Sequence, residues 1–253
     1  MPKRPAPLSL EDDIAYSKSL TPGSDTHHRA YVGPPGEFDF MGATQFRLLT
    51  SLGLREEHYL LDVGCGSLRA GKYLLQYLLP GRYIGLEPNG WLWQEAFKQE
   101  VGEDVQRLKR PTFLDSEDFS LAEDCTPAKD FIVAQSIYTH TGEDLFAHSV
   151  QLMAQALAPT GQFLFNAVVP NDPIYANVPA GKDHSGWIYP GCVSFEEMEI
   201  IRVCQNAGLS VQKLPWFHPR VSWFRAVNDP DLLLTNDMLN QLGTGRPLFD
   251  ERF

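Results

Sequence analysis

The stretch Tyr59-Leu60-Leu61-Asp62-Val63-Gly64-Cys65-Gly66 decides the fold. A short apolar run carrying one acid stops at two glycines. Leu68, Ala70, Tyr73, Leu74, Leu75, Leu78 and Leu79 follow at helical spacing until Pro80-Gly81. That order reads as strand, glycine loop and helix. Working outward, Tyr83–Leu86 is a second strand ending in Glu87-Pro88, and Trp91 to Val101 is a helix. Thr112–Leu114 and Phe131–Ala134 are the third and fourth strands, and a helix runs from about Glu143 to Leu157. Phe163–Phe165 with Ala167–Val169 is the fifth strand. Upstream, Phe38 to Leu54 is spaced as a helix ended by Gly53.

This alternation predicts an α/β fold with a doubly wound, mostly parallel sheet. After a long polar loop comes a helix over Phe195–Ala207, closed by Gly208. Strands at Leu209–Leu214 and Val221–Val227 follow too closely for a crossover, so they form an antiparallel edge hairpin and bring the sheet to seven strands. A final helix is expected over Pro230–Leu242. The units are therefore an N-terminal extension or lid over 1–36, a ligand-binding domain over 37–228, and a C-terminal helix and tail over 229–253. Within the extension, Leu10, Ile14, Ala15, Tyr16 and Leu20 are spaced for a short helix.

Composition narrows the function. The 253 residues are 43% hydrophobic, enough for one sizeable core. The formal net charge of −11 repels phosphate backbones and anionic lipid, so neither nucleic acid nor a membrane surface is an expected partner. No window is long and apolar enough for a membrane span. Cys65, Cys125, Cys192 and Cys204 form no CxxC pair and no zinc spacing, so no metal and a reduced, cytoplasmic setting are expected.

The glycine loop admits two ligand classes. A dinucleotide fingerprint needs a third glycine where this chain has Arg69. Asp62, two residues before Gly64, suits a cationic ligand or an amine better than a pyrophosphate. Glu87, at the end of the next strand, is able to accept from both hydroxyls of a ribose. Glu87 alone fits NAD equally well; Asp62 and Arg69 tip the choice. NAD, and with it an NAD-dependent oxidoreductase, is therefore the less favoured reading beside a cationic ligand or an amine.

Here the chain resembles the class I S-adenosylmethionine-dependent methyltransferases over roughly residues 38–227. Leu60 to Gly66, with Asp62, Gly64, Cys65 and Gly66, looks like the family's first motif, and Glu87 with Pro88 matches its ribose-binding acid. Asp115-Ser116 resembles the adenine-contacting pair, with Phe119 placed to cover the ring. Gln135-Ser136-Ile137-Tyr138-Thr139-His140 resembles the segment lining the methionine moiety and the substrate mouth, and Ala158–Gln162 the turn entering the fifth strand. Leu68 stands where the family's usual third glycine would be. The resemblance implies a Rossmann-like methyltransferase fold, S-adenosyl-L-methionine as cofactor, and methyl transfer to oxygen, nitrogen or carbon. The acidic chain and its aromatic loop point to a small-molecule acceptor, aromatic compounds included. The alternative is an S-adenosyl-ligand-binding module without transfer activity.

For a hydroxyl acceptor a base is needed. His140, directly after the fourth strand, is the first candidate, and His184, beside Asp183 in the long loop, the second. Arg69 is placed to meet the cofactor carboxylate, and Cys65 to act as a small packing residue. Trp187, Tyr189, Trp216 and Trp223 are candidates for an aromatic acceptor pocket. His27 and His28 are able to cover the site, and His218 is read as a structural residue joining the edge strands. Asn171-Asp172-Pro173 is read as a turn.

Overall fold

The computed structural model describes residues 9–121, 128–170 and 178–248. Cys125 and the Asn171-Asp172-Pro173 turn fall outside the described residues. Five strands run parallel: β1 (Leu60–Val63), β2 (Tyr83–Leu86), β3 (Thr112–Leu114), β4 (Lys129–Ala134) and β5 (Leu157–Ala167). The hairpin of β6 (Ser210–Leu214) and β7 (Ser222–Val227) adds on with β7 antiparallel to β5, giving the order β3-β2-β1-β4-β5-β7-β6. The seven strands and the antiparallel edge are those the sequence predicts.

Alternation along the strands sorts the core onto two faces. Leu61 and Val63 of β1, Ile132 and Ala134 of β4, and Phe163 and Phe165 of β5 share one cluster. Phe146, Val150 and Met153 of α7 (Glu143–Ala156) cover it, with Ile200 and Val203 of α8 (Glu197–Asn206). The intervening Leu60, Phe131, Val133 and Leu164 face the other cluster. There they meet Leu48 and Leu49 of α3 (Phe38–Ser51) and Leu74 and Leu75 of α4 (Gly71–Tyr77). Ala96 of α5 (Trp91–Ala96) and Leu242 of α9 (Asn236–Gly243) complete this second layer.

Three details differ from the sequence reading. α6 (Glu103–Lys109) buries no residue, so no apolar stripe announced it. α7 passes into β5 at Leu157 with no intervening loop, so the strand begins ahead of the turn expected over Ala158–Gln162. Pro230 opens a separate 3₁₀ turn, and the last helix starts only where the Thr235 side chain accepts from Met238 N–H.

The N-terminal extension is anchored on the core. Its α1 (Leu10–Lys18) and α2 (His28–Tyr31) precede α3. From α2, Arg29 reaches Glu100 at 2.7 Å and Asp39 at 3.0 Å. Lys72 of α4 joins the same two acids. The Arg29 guanidinium also lies over the Phe38 ring at 4.6 Å. Mutual pairing keeps these charges satisfied where Arg29 and Glu100 are buried.

Candidate functional site

A cavity of about 610 Å³ opens at the carboxyl ends of the parallel strands. Its floor is the loop after β1. Gly64 and Gly66 both have positive φ, +65° and +51°. A Cβ on Gly64 would lie 2.0 Å from Ile137 Cδ1, and one on Gly66 2.7 Å from Val32 Cγ1. The glycines thus admit Ile137 from the segment after β4 and Val32 from the extension.

Two carboxylates flank this loop, and their surroundings separate them. Asp62 is buried on β1 and accepts from Tyr83 Oη at 2.7 Å. Burial pushes its carboxyl up to about 7, against the Tyr83 hydrogen bond and the nearby Arg69. Glu87, at the end of β2, reaches back across the loop. Its Oε2 accepts from Gly66 N–H at 3.1 Å, and its Oε1 from the backbone and side-chain amides of Asn89 at 2.9 and 3.0 Å. Cys65 Sγ lies over Gly85, 2.7 Å from where a Cβ would stand. Burial raises the Cys65 thiol well above its ordinary range, so the sulfur packs as a neutral group.

The floor continues past this loop through Ser116, Phe119, Gln135, Ser136, Thr139 and His140, which also line the cavity. Gln135 is 7% exposed, and among the described residues neither its amide nitrogen nor its amide oxygen has a hydrogen-bond partner. A buried amide vacant at both ends and bordering a cavity is suited to a polar ligand. His140 Nδ1 sits 2.7 Å from the Gly191 carbonyl, which only accepts. The proton is therefore on Nδ1, and Nε2 keeps its lone pair. Burial lowers the imidazole pKa against that hydrogen bond, so the ring is neutral near pH 7.

The roof comes from far along the chain. Pro22, Gly23 and Tyr31–Pro34 of the extension meet Trp187, Tyr189, Pro190 and Cys192 of the long loop. Tyr189 Oη donates to the Tyr31 carbonyl at 2.8 Å, and the two rings lie 5.4 Å apart. Trp187 Nε1 donates to the Glu117 carbonyl at 2.8 Å and its ring packs on Phe119 at 5.4 Å. His218, Arg220 and Val221, from the β6–β7 connection, complete the lining beside Arg69.

Of the residues singled out in the sequence, Asp62, Gly64, Cys65, Gly66, Arg69, Glu87, Pro88, Ser116, Gln135, Ser136 and His140 border this one cavity. Asp115 and His184 do not. Asp115, just past β3, is exposed, and the next residue, Ser116, lines the cavity. The His184 backbone packs against Gly142 while its side chain is exposed. Trp216 and Trp223 belong to the second core cluster, leaving Trp187 and Tyr189 as the aromatic lining. His27 and His28 lie buried beneath α1 and do not border the cavity. Asp13, His27 and His28 bring three potential ligand atoms within 4.8 Å of one another. Asn89, Tyr31, Val32, Cys192, His218 and Arg220 line the cavity without having been singled out as ligand contacts. Only Asn89, two residues after Glu87, had a signal nearby in the chain.

No protein-family model matches the sequence. Solved structures do. Magnesium protoporphyrin IX methyltransferase from Synechocystis PCC 6803, with bound S-adenosylhomocysteine (SAH), superposes with a TM-score of 0.56. The match has 14% identity over 87% of this chain and 95% of that one. Mitomycin 7-O-methyltransferase MmcR gives 0.60 at 14% identity, over 85% of this chain and 60% of that one. The SAH complex of the glycopeptide N-methyltransferase MtfA gives 0.53 at 16% identity, over 74% and 89%. The chain has the Rossmann-like methyltransferase fold. No helix among the described residues is long and apolar enough to cross a membrane.

Proposed function

We propose that the chain is an S-adenosylmethionine-dependent methyltransferase with a small-molecule acceptor. The carrying observation is the cavity, which joins the floor's Glu87, Ser116 and the vacant amide of Gln135 to His140 under an aromatic roof. Structures of the same fold hold SAH or S-adenosylmethionine, and their acceptors include a porphyrin, mitomycin and a glycopeptide. Those parallels support the reading, as does the enclosed, largely apolar space. A cytoplasmic setting belongs to the same proposal; Cys65, Cys192 and Cys204 are free thiols.

In this reading Glu87, held by Gly66 and Asn89, takes the ribose hydroxyls, and Ser116 and Phe119 border the adenine. Gln135, Ser136 and the glycine loop take the amino-acid end. When bound, the cofactor supplies a methyl on a sulfonium, displaced in line with an uncharged leaving group. The chain's work is then to align the acceptor and to remove its proton. His140 is fitted for the second task. Its Nδ1–H is fixed on Gly191, so Nε2 is the atom that takes a proton from an acceptor hydroxyl. Trp187 and Tyr189 offer an aromatic acceptor a face to pack on.

Calorimetry should show SAH binding and no NAD binding. Methyl-labelled cofactor incubated with a metabolite extract should yield a labelled small molecule, identified by mass spectrometry. NAD binding in place of SAH would overturn the reading. SAH binding with no labelled product from any extract would reduce the protein to a ligand-binding module.

A further inference from the structure

The cavity ends in a patch that offers hydrogen-bond donors and little else. Arg69, at the head of α4, borders it with His218 and Arg220 of the β6–β7 connection. Of the five N–H groups on the Arg69 guanidinium, one donates to the Val32 carbonyl at 2.9 Å. No carboxylate among the described residues comes within ion-pair distance of it. Burial, with repulsion from Arg220, lowers the Arg69 pKa to about 10 against the pull of Asp62 and Glu37. Arg220 has one acid, Glu37, at 3.0 Å.

His218 is locked as a third donor. Its Nδ1 accepts from the backbone N–H of Arg220 at 3.1 Å and of Val221 at 3.2 Å, which puts the proton on Nε2. Burial and the two guanidiniums hold its pKa at about 3, so the ring stays neutral with that tautomer. Glu37 is thus the one carboxylate in ion-pair contact with the patch, while Asp62 acts on Arg69 only from beyond that distance and leaves its remaining N–H groups without an acid to bond. Buried or half-buried cations are ordinarily paired. In a chain of net charge −11 the long-range field repels anions, so such a patch acts only at contact.

We propose that the methyl acceptor carries an anionic group, a carboxylate or a phosphate monoester, that docks on Arg69, His218 and Arg220. This rests on the methyltransferase reading and adds its substrate class. For His218 and Arg220, sheet position favours the acceptor over the cofactor's own carboxylate as the occupant; Arg69, three residues after Gly66, is the end of the patch nearest the glycine loop. The pairing Ala167↔Ser222 puts the β6–β7 connection at the carboxyl end of β5. β7, which the connection enters, stands three strand spacings, about 14 Å, from β1. His140, after β4, lies between the two. A planar fork from Arg220 with the His218 N–H matches the oxygens of either anion.

The test uses the full chain saturated with SAH and titrated with benzoate, phenyl phosphate and neutral benzyl alcohol. The two anions should bind and benzyl alcohol should not, and the tighter anion distinguishes carboxylate from phosphate recognition. Arg220→Gln should weaken the anions by about tenfold or more, the range for a charge-assisted hydrogen bond. Arg220→Lys, which keeps the charge without the fork, should restore part of the loss, and SAH affinity should change little in both variants. Equal binding of benzyl alcohol, no anion binding, or no effect of Arg220→Gln overturns the proposal. So does a parallel loss of SAH affinity, which would hand the patch to the cofactor carboxylate. Failure of SAH to bind the unaltered protein strikes the methyltransferase reading instead.

Discussion

The floor and the roof of the cavity are built on opposite terms. The floor consists of short turns that leave the parallel strands directly: Gly64–Gly66 after β1, Glu87–Asn89 after β2, Ser116–Phe119 after β3 and Gln135–His140 after β4. Each is fixed by the sheet behind it. The roof joins residues 22–34 to residues 187–192, and the Tyr189–Tyr31 hydrogen bond and the Val32–Gly66 contact tie it down. On the proposed function the sheet-borne half would hold the cofactor, and the half built from loops distant in the chain would set the acceptor.

The sharpest test of that division is His140, where the halves meet: it leaves β4 and is held by Gly191 of the long loop. His140→Ala should cut turnover on a hydroxyl acceptor at least about a hundredfold, the lower bound for losing a general base. SAH affinity, measured by calorimetry, should stay nearly constant. Parallel loss of both would make the residue structural. In the unaltered enzyme the rate should persist as pH falls below 6.5, the ordinary imidazole value, because burial lowers the His140 pKa.

Next in size is Glu87→Ala on the floor. It should weaken SAH by about 1.5–3 kcal/mol, the range for hydrogen bonds to a charged group. Unchanged affinity would remove the ribose role and with it the claim that the floor holds the cofactor.

Asp62 gives a thermodynamic probe of the same floor. Its folded pKa of about 7 stands above the ordinary 3.8. The unfolded chain loses this proton near 3.8, whereas the folded protein keeps it to about 7. The folded state therefore binds more protons in that window, and stability falls as pH rises through it. Asp62→Asn keeps an acceptor for Tyr83 and removes the titration. The variant's Tm should decline less than the parent's between pH 4 and 7; identical slopes would contradict the buried, protonated carboxyl.

The smallest expected effect belongs to the roof. Tyr189→Phe deletes the bond to the Tyr31 carbonyl, about 0.5–1.5 kcal/mol for a neutral pair. Amide exchange over residues 22–34 should quicken while exchange in β1 and β4 does not change. Quickening in both would mean the halves are one cooperative unit.

Legibility in the sequence follows the same line. The floor was readable because backbone geometry demands particular residue types: glycines where φ is positive, acids at strand ends, apolar runs where two faces are covered. The edge hairpin was readable from chain length alone. Asp115 misled because the path of the turn after β3, which composition does not encode, leaves it exposed and brings its neighbour Ser116 to the cavity. His184 misled because its carbonyl, rather than its ring, packs inward. α6 gave no signal because it buries nothing. His218 was expected to brace the hairpin connection, and its Nδ1 bonds do so. That the other side of the same ring faces a cavity depends on α4 and α3 arriving from elsewhere, which no local pattern encodes.

The seat of Val32 on Gly66 bears on timing. The amide of Gly66 is the one Glu87 holds, so the covering segment rests on the residue that steadies the Glu87 carboxylate. In a methyltransferase, spent cofactor leaving past that segment would have to lift Val32 and loosen the Tyr189 tie together. Turnover would then be paced by product escape, with a burst of the first methylated product ahead of a slower steady state.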